Sequence, residues 1–310
     1  MAAALRPSWP DLAALGRRAV AAWVDDYAPS MGAALAFYTL FSLAPLLLIC
    51  LSIAGMALGE EAARGELFGE LTAMLGPAGA SAVESLLASA REPGGGIVAT
   101  IVGAVMLVVG ATAVFGELSD ALDRIWRAPP DARRRRSGLV GMLRGRLLSF
   151  GMVVALGFLL VVSLAAGAAV AALTRRWSPD VAGWQPFAWM LDATLGLLLV
   201  TVLFALVYKT LPSVRVAWRD VWTGAVVTAV LFTAGKAAIG WYIGTSGVAS
   251  GFGAAGSLIA VLVWVYWSAQ VFLLGAEFTW LYATTFGSRR PVAAAPENAR
   301  PASPMARPTS

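Results

Sequence analysis

Six apolar runs, each long enough to cross a bilayer, decide what this chain can become. They are Ala33–Leu58, Ile97–Phe115, Leu147–Leu173, Phe187–Leu211, Val221–Gly244 and Ala255–Ala283. A helix covers the hydrocarbon core with about 20 residues. Only a helix or a closed barrel satisfies its own backbone hydrogen bonds in lipid, and runs of this length call for helices. The expected fold class is therefore all-α, a polytopic transmembrane helical bundle of about six spans. The whole chain agrees, being 59% hydrophobic and only 13% charged. A soluble domain carries roughly 25% charge, and a globule cannot hide this much apolar surface from water.

Basic residues set the expected orientation. Arginine and lysine gather in the N-terminal segment, the second loop, the fourth connection and the tail. The other loops hold only Arg64, Arg91, Arg175 and Arg176. Both termini are thus expected on the cytoplasmic side. The first 30 residues lack the apolar core of a cleavable signal peptide, so none is expected.

Residues 1–32 read as a cytoplasmic N-terminal segment, 33–286 as the six-helix transmembrane domain and 287–310 as a proline-rich disordered tail. Within the first, Leu12, Leu15, Ala19, Trp23 and Tyr27 recur at helical spacing over Asp11–Tyr27. That helix either lies in the membrane surface or packs on the bundle, and Pro29 is expected to end it. The outer loop 59–96 is acidic. Its apolar spacing predicts two short amphipathic helices around Gly76-Pro77, forming a cap outside the membrane. The inner loop 116–146 carries Arg133, Arg134, Arg135 and Arg136. Beside a membrane, such a run fixes topology and touches anionic lipid headgroups. No aromatic residues interleave it, so nucleic acid is not an expected partner. The glycine-rich stretch Gly244–Gly253 suits either a re-entrant turn or a tight helix–helix connector.

Polar groups inside apolar runs are costly and mark either function or helix–helix hydrogen bonding. Lys236 shares a helical face with Gly240 and Gly244, small residues that let a neighbouring backbone approach. Asp192, at similar depth in the preceding run, is its expected partner. Tyr266, Gln270 and Glu277 share one face of the last run, as do Tyr38, Ser42, Pro45 and Ser52 of the first. Pro45 should kink its helix. Together with Glu117, the residues Tyr38, Ser42, Pro45, Asp192, Lys236, Gln270 and Glu277 form a candidate polar path opening inward. The competing reading is interhelical bonding that only holds the bundle together.

The chain contains no histidine and one cysteine, Cys50. That removes the usual general base and the commonest zinc ligand. No catalytic residue, metal site or cofactor is expected.

Three stretches carry a resemblance. They are AALAFYTLFSLAPLLLI (Ala33–Ile49), ATAVFGELSDALDRIW (Ala111–Trp126) and the region Tyr208–Ala283, with LPSVRVAWRDVWTGA, SGVASGFGAAGS and WVYWSAQVFLLGAEFTWLYA. Together they resemble the YihY/BrkB family of bacterial inner-membrane proteins. The resemblance implies a six-helix integral membrane protein with no settled activity. A ribonuclease label attached to some members fits poorly, because metal-dependent RNA hydrolases of that kind use His/Asp clusters. The expected function is a transporter or exporter, of an envelope lipid or an organic anion. The alternative is a non-transporting membrane scaffold or envelope-integrity partner.

Overall fold

The computed structural model describes residues 8–62, scattered helical positions between 64 and 87, and then 113–131, 184–245 and 256–290. Among these residues every regular element is a helix and none is a strand. Helix α1 spans Trp9–Asp25 and opens on Ser8, whose backbone N–H donates to Asp11 Oδ2 at 2.9 Å. Pro10 sits in the first turn, where its missing N–H is not needed. The hydroxyl and then the backbone N–H of Ser8 hold the Asp11 carboxyl below its usual range.

The chain leaves α1 at Tyr27, which adopts a left-handed φ of 58°. Helix α2, Ala28–Leu58, starts at the next residue. Pro29 therefore does not end α1, as its position suggested. It lies in the first turn of α2, the helical site where proline costs least. Tyr27 is 64% exposed rather than on the buried face. Helix α2 stays helical through Pro45.

Residues 113–125 form a further helical segment. Its end is a Schellman turn: Ala128 N–H donates to Asp123 O at 2.8 Å and Arg127 N–H to Arg124 O at 3.1 Å. The left-handed position in that turn belongs to Arg127, φ 50°, where glycine is usual.

Helices α3 (Trp184–Thr210), α4 (Trp218–Thr245) and α5 (Gly256–Thr285) complete the set. Each holds a stretch long and apolar enough to cross a membrane: Ala193–Thr210, Trp218–Tyr242 and Leu258–Thr285. Their limits follow the last three apolar runs within a few residues. The run Ile97–Phe115, but for its last three residues, and the run Leu147–Leu173 lie outside the described residues. So do Arg133–Arg136, most of the glycine-rich stretch, Gly76-Pro77 and the tail beyond Arg290.

Helix α5 packs against α1, α2 and α4, and α3 packs on α4. The main core joins Met31 and Leu35 of α2, Leu122 and Trp126, Phe204 and Tyr208 of α3, Val221 and Ala225 of α4, and Phe272 and Leu273 of α5. Farther along, Leu47 and Leu51 of α2 meet Val261 of α5 and Val83 and Leu87 from the following loop. The outward face of α4 shows Trp218, Trp222, Val226 and Val230 every fourth residue, and Trp241 and Tyr242 at the far end. Trp218 and Trp241 are separated by about 35 Å of helix rise. Aromatic residues at both ends of an apolar stripe of that length suit a bilayer and its two interfaces.

Candidate functional site

Where α4 crosses α5, glycine and threonine alternate reciprocally. A Cβ on Gly224 would lie 1.8 Å from Thr279 Oγ1, and one on Gly275 would lie 2.0 Å from Thr228 Oγ1. Both threonines return their hydroxyls to their own helix, Thr228 to Gly224 O at 2.8 Å and Thr279 to Gly275 O at 2.6 Å. Tyr208 of α3 closes the knot. Its hydroxyl donates to Phe272 O at 2.7 Å and lies 3.1 Å from Thr228 Oγ1. Every polar atom here is satisfied without water.

Two buried aspartates clamp the chain just beyond α3 and α5. Asp123 accepts the N–H and the hydroxyl of Ser213, each at 2.6 Å. Asp220, at the start of α4, accepts the N–H of Ser288 at 3.1 Å and its hydroxyl at 2.6 Å. Arg289 joins the two clamped turns by donating to Arg215 O at 2.9 Å, while its guanidinium lies 5.3 Å from the Trp126 ring centre.

The corner between α1, α2 and α5 is built differently. Leu15 and Ala19 of α1 bury against Phe278 and Leu281 of α5. Two turns beyond Ala19, just past the end of α1, Asp26 is 4% exposed, and Glu277 of α5 is fully buried. Glu277 is within electrostatic reach of Asp26, Arg127 and Asp25. Arg127, 51% exposed at its side chain, donates to Asp26 Oδ1 at 2.7 Å and stacks 5.3 Å from the centre of the Trp280 ring. Yet Asp26 Oδ2 and both oxygens of Glu277 have no hydrogen-bond partner among the described residues. Gln270, two turns back along α5, shares the condition. Its Nε2 donates weakly to Pro29 O at 3.5 Å across Gly32, while its Oε1 is unpaired. Leaving a buried polar atom unpaired costs about 1–3 kcal/mol, and more when it is charged.

Of the residues expected to line a polar path, the structure brings Gln270 and Glu277 to this one corner. Ser42 is buried, but its hydroxyl goes to Thr39 O of its own helix at 3.0 Å. Tyr38 is half-buried and packs edge-on against Phe37. Glu117 is half-buried, with no ion pair or hydrogen bond to another described residue. The side chains of Pro45 and Asp192 lie outside the described ones, and with Asp192 the expected pair to Lys236. Lys236 is half-buried. At its neighbour Gly240 a Cβ would meet none of the described residues within 4 Å. The face α4 turns to α5 at this height holds Gly235 and Ile239 instead, with Gly235 against the Trp267 ring.

Asp26, Arg127, Asp123, Asp220 and the Gly224/Gly275 knot were not singled out from the sequence. The knot had a readable signal, since Gly224–Thr228 and Gly275–Thr279 are both small residues four apart. The clamps had none, because each joins residues 68 to 90 positions apart. Asp26 and Arg127 both follow helix ends and gave no periodic cue.

Comparison with known proteins adds the lineage. Residues 19–300 match the family model described as virulence factor BrkB. A UPF0761 membrane protein of Pseudomonas aeruginosa is 31% identical over 82% of this chain and 59% of its own length. One from Alkalilimnicola ehrlichii is 30% identical over 80% of this chain and 53% of its own. One from Klebsiella pneumoniae is 34% identical over 58% of this chain. The chain thus spans little more than half the length of these curated relatives. No solved structure matches it. With a match running from α1 to beyond α5 and relatives that are membrane proteins, the chain belongs to the BrkB (YihY) family of membrane proteins.

Proposed function

We propose that this protein is a bacterial inner-membrane transporter or exporter, with about six spans and both termini in the cytoplasm, moving an envelope lipid or an organic anion. The observation that carries the reading is Glu277. It lies in a membrane-length helix, fully buried, with neither carboxyl oxygen paired among the described residues. A group that only held helices together would be satisfied, as Tyr208 and Thr228 are. An intramembrane acid left open is the mark of a group with something to bind. Arg127, half exposed beside it, supplies a positive edge at the entrance. The excess of arginine in the loops on that side supports the orientation.

The test uses purified full chain in vesicles of anionic phospholipid, with a panel of labelled phospholipids and organic anions. Wild type is expected to move at least one, and Glu277→Gln, at equal incorporation, to lose that movement at least tenfold. Movement no faster than in empty vesicles across the whole panel, or equal movement by Glu277→Gln, rejects the reading. Tags at the two ends that report from opposite compartments would reject the topology.

A further inference from the structure

Among the described residues, the charges around Glu277 do not balance. Helix α1 brings Asp26 and, at its exposed end, Asp25; the turn after residues 113–125 brings Arg127. Helix α2 carries no charged residue. Helix α4 contributes Asp220, which is occupied by Ser288, and neither Arg219 nor Lys236 pairs with Glu277. Arg127 is already committed to Asp26 Oδ1. Two buried carboxylates against one guanidinium would leave a negative charge uncompensated among the described residues, an unfavourable arrangement in a protein interior.

One proton resolves every part of this. Placed on Glu277, it removes the surplus charge and turns one carboxyl oxygen into an O–H donor. Asp26 Oδ2, buried and unpaired, is the acceptor that donor needs. Asp26 Oδ1 keeps Arg127. We propose that Asp26 and Glu277 form a proton-binding pair, in which the Glu277 carboxyl donates to Asp26 Oδ2 while Arg127 holds the other oxygen of Asp26.

The backbone supports a working role for Arg127. It occupies the left-handed position of a Schellman turn, which glycine takes at lower cost. A strained arginine is retained where its guanidinium reaches both Asp26 and Trp280. Arg127 is also half exposed, which gives the cluster contact with water. When the pair releases its proton, the Glu277 O–H bond breaks and the proton passes to water past Arg127. Two carboxylates then face each other between α1 and α5. Among the described residues the seam is otherwise apolar, with Leu15 and Ala19 of α1 against Phe278 and Leu281 of α5, so the repulsion acts between α1 and α5.

This inference deepens the transport reading and rests on it for its purpose. Its test needs no substrate. Purified full chain in lipid nanodiscs is followed by infrared spectroscopy from mildly acidic to mildly alkaline pH. A C=O band of a protonated carboxyl is expected at neutral pH, shifting down in D2O and fading as pH rises. It should be absent from Glu277→Gln and displaced in Asp26→Asn. No such band in wild type at any pH overturns the proposal, as does an unchanged band in Glu277→Gln. An undisplaced band in Asp26→Asn removes the pairing. Loss of the band on adding sodium chloride at fixed pH assigns the site to a metal cation instead. Should Glu277→Gln fail to fold, the wild-type isotope shift and Asp26→Asn still decide. A band without flux rejects transport alone, and flux without a band rejects the proton pair alone.

Discussion

Helix α5 has two seams of opposite character. Against α4 it is locked: glycines admit threonines, Tyr208 ties in a third helix, and each hydroxyl has its acceptor. Against α1 it is held by apolar contacts beside carboxyl oxygens with no partner among the described residues. Close packing with satisfied polar groups gives a single arrangement, because any shift breaks many contacts together. A seam with unpaired buried polar groups is less tightly determined, because those groups are costly where they stand. The difference assigns rigidity to α3–α4–α5 and the capacity for change to α1.

The same enlargement at the two seams should therefore cost unequal amounts. Gly224→Leu drives a side chain into Thr279 and is expected to destabilise by about 3 kcal/mol or more. Ala19→Leu, on the α1 side, should cost about 1 kcal/mol, because α1 can move outward. Thermal unfolding in detergent compares them, and equal losses would erase the distinction. Next in size, Asp220→Ala frees the N–H and hydroxyl of Ser288 and leaves α5 unclamped. A loss of about 2 kcal/mol is expected, with faster amide exchange confined to residues 286–290. Exchange spreading to α1 would mean that the two seams are not independent.

The smallest effect concerns the start of α1. The Asp11 carboxyl is held below its ordinary range, so its folded pKa is the lower one. The stabilisation from this cap is fully present above the ordinary carboxylate range and disappears as pH falls through the lowered value. Acidification should fray the first turn of α1 without disturbing α4 and α5. Asp11→Asn should remove this pH dependence, read by amide exchange at residues 9–12.

Much of the scaffold was legible in the sequence. The apolar runs that became α2, α3, α4 and α5 were plain, because lipid demands length and hydrophobicity and both are local properties. The helical spacing of Leu15 and Ala19 was also readable, but not its destination. The surface of a membrane and the flank of α5 are both apolar, and only the tertiary structure shows that Leu15 and Ala19 pack on α5. Pro29 misled because proline both ends and begins helices, and the turn at Tyr27 decided which. Glu277 and Gln270 stood out as polar residues in an apolar run. Their neighbours Asp26 and Arg127 did not, since polar residues after a helix end are unremarkable until something buries them. The spacing of Gly240 from Lys236 could not say which side of α4 faces α5; the fit of Gly224 and Thr228, three to four turns away, sets that.

What the residues determined by themselves was the solvent: helices this long and apolar belong in lipid. What tertiary structure alone decided was which polar groups are paired and which are stranded. Aspartates 123, 220 and 26 are the same residue type near helix ends, yet the first two each bind a serine and the third is left with one free oxygen beside Glu277. Hydropathy is a property of each residue and its near neighbours, whereas the satisfaction of a buried charge depends on atoms that distant parts of the chain bring to it.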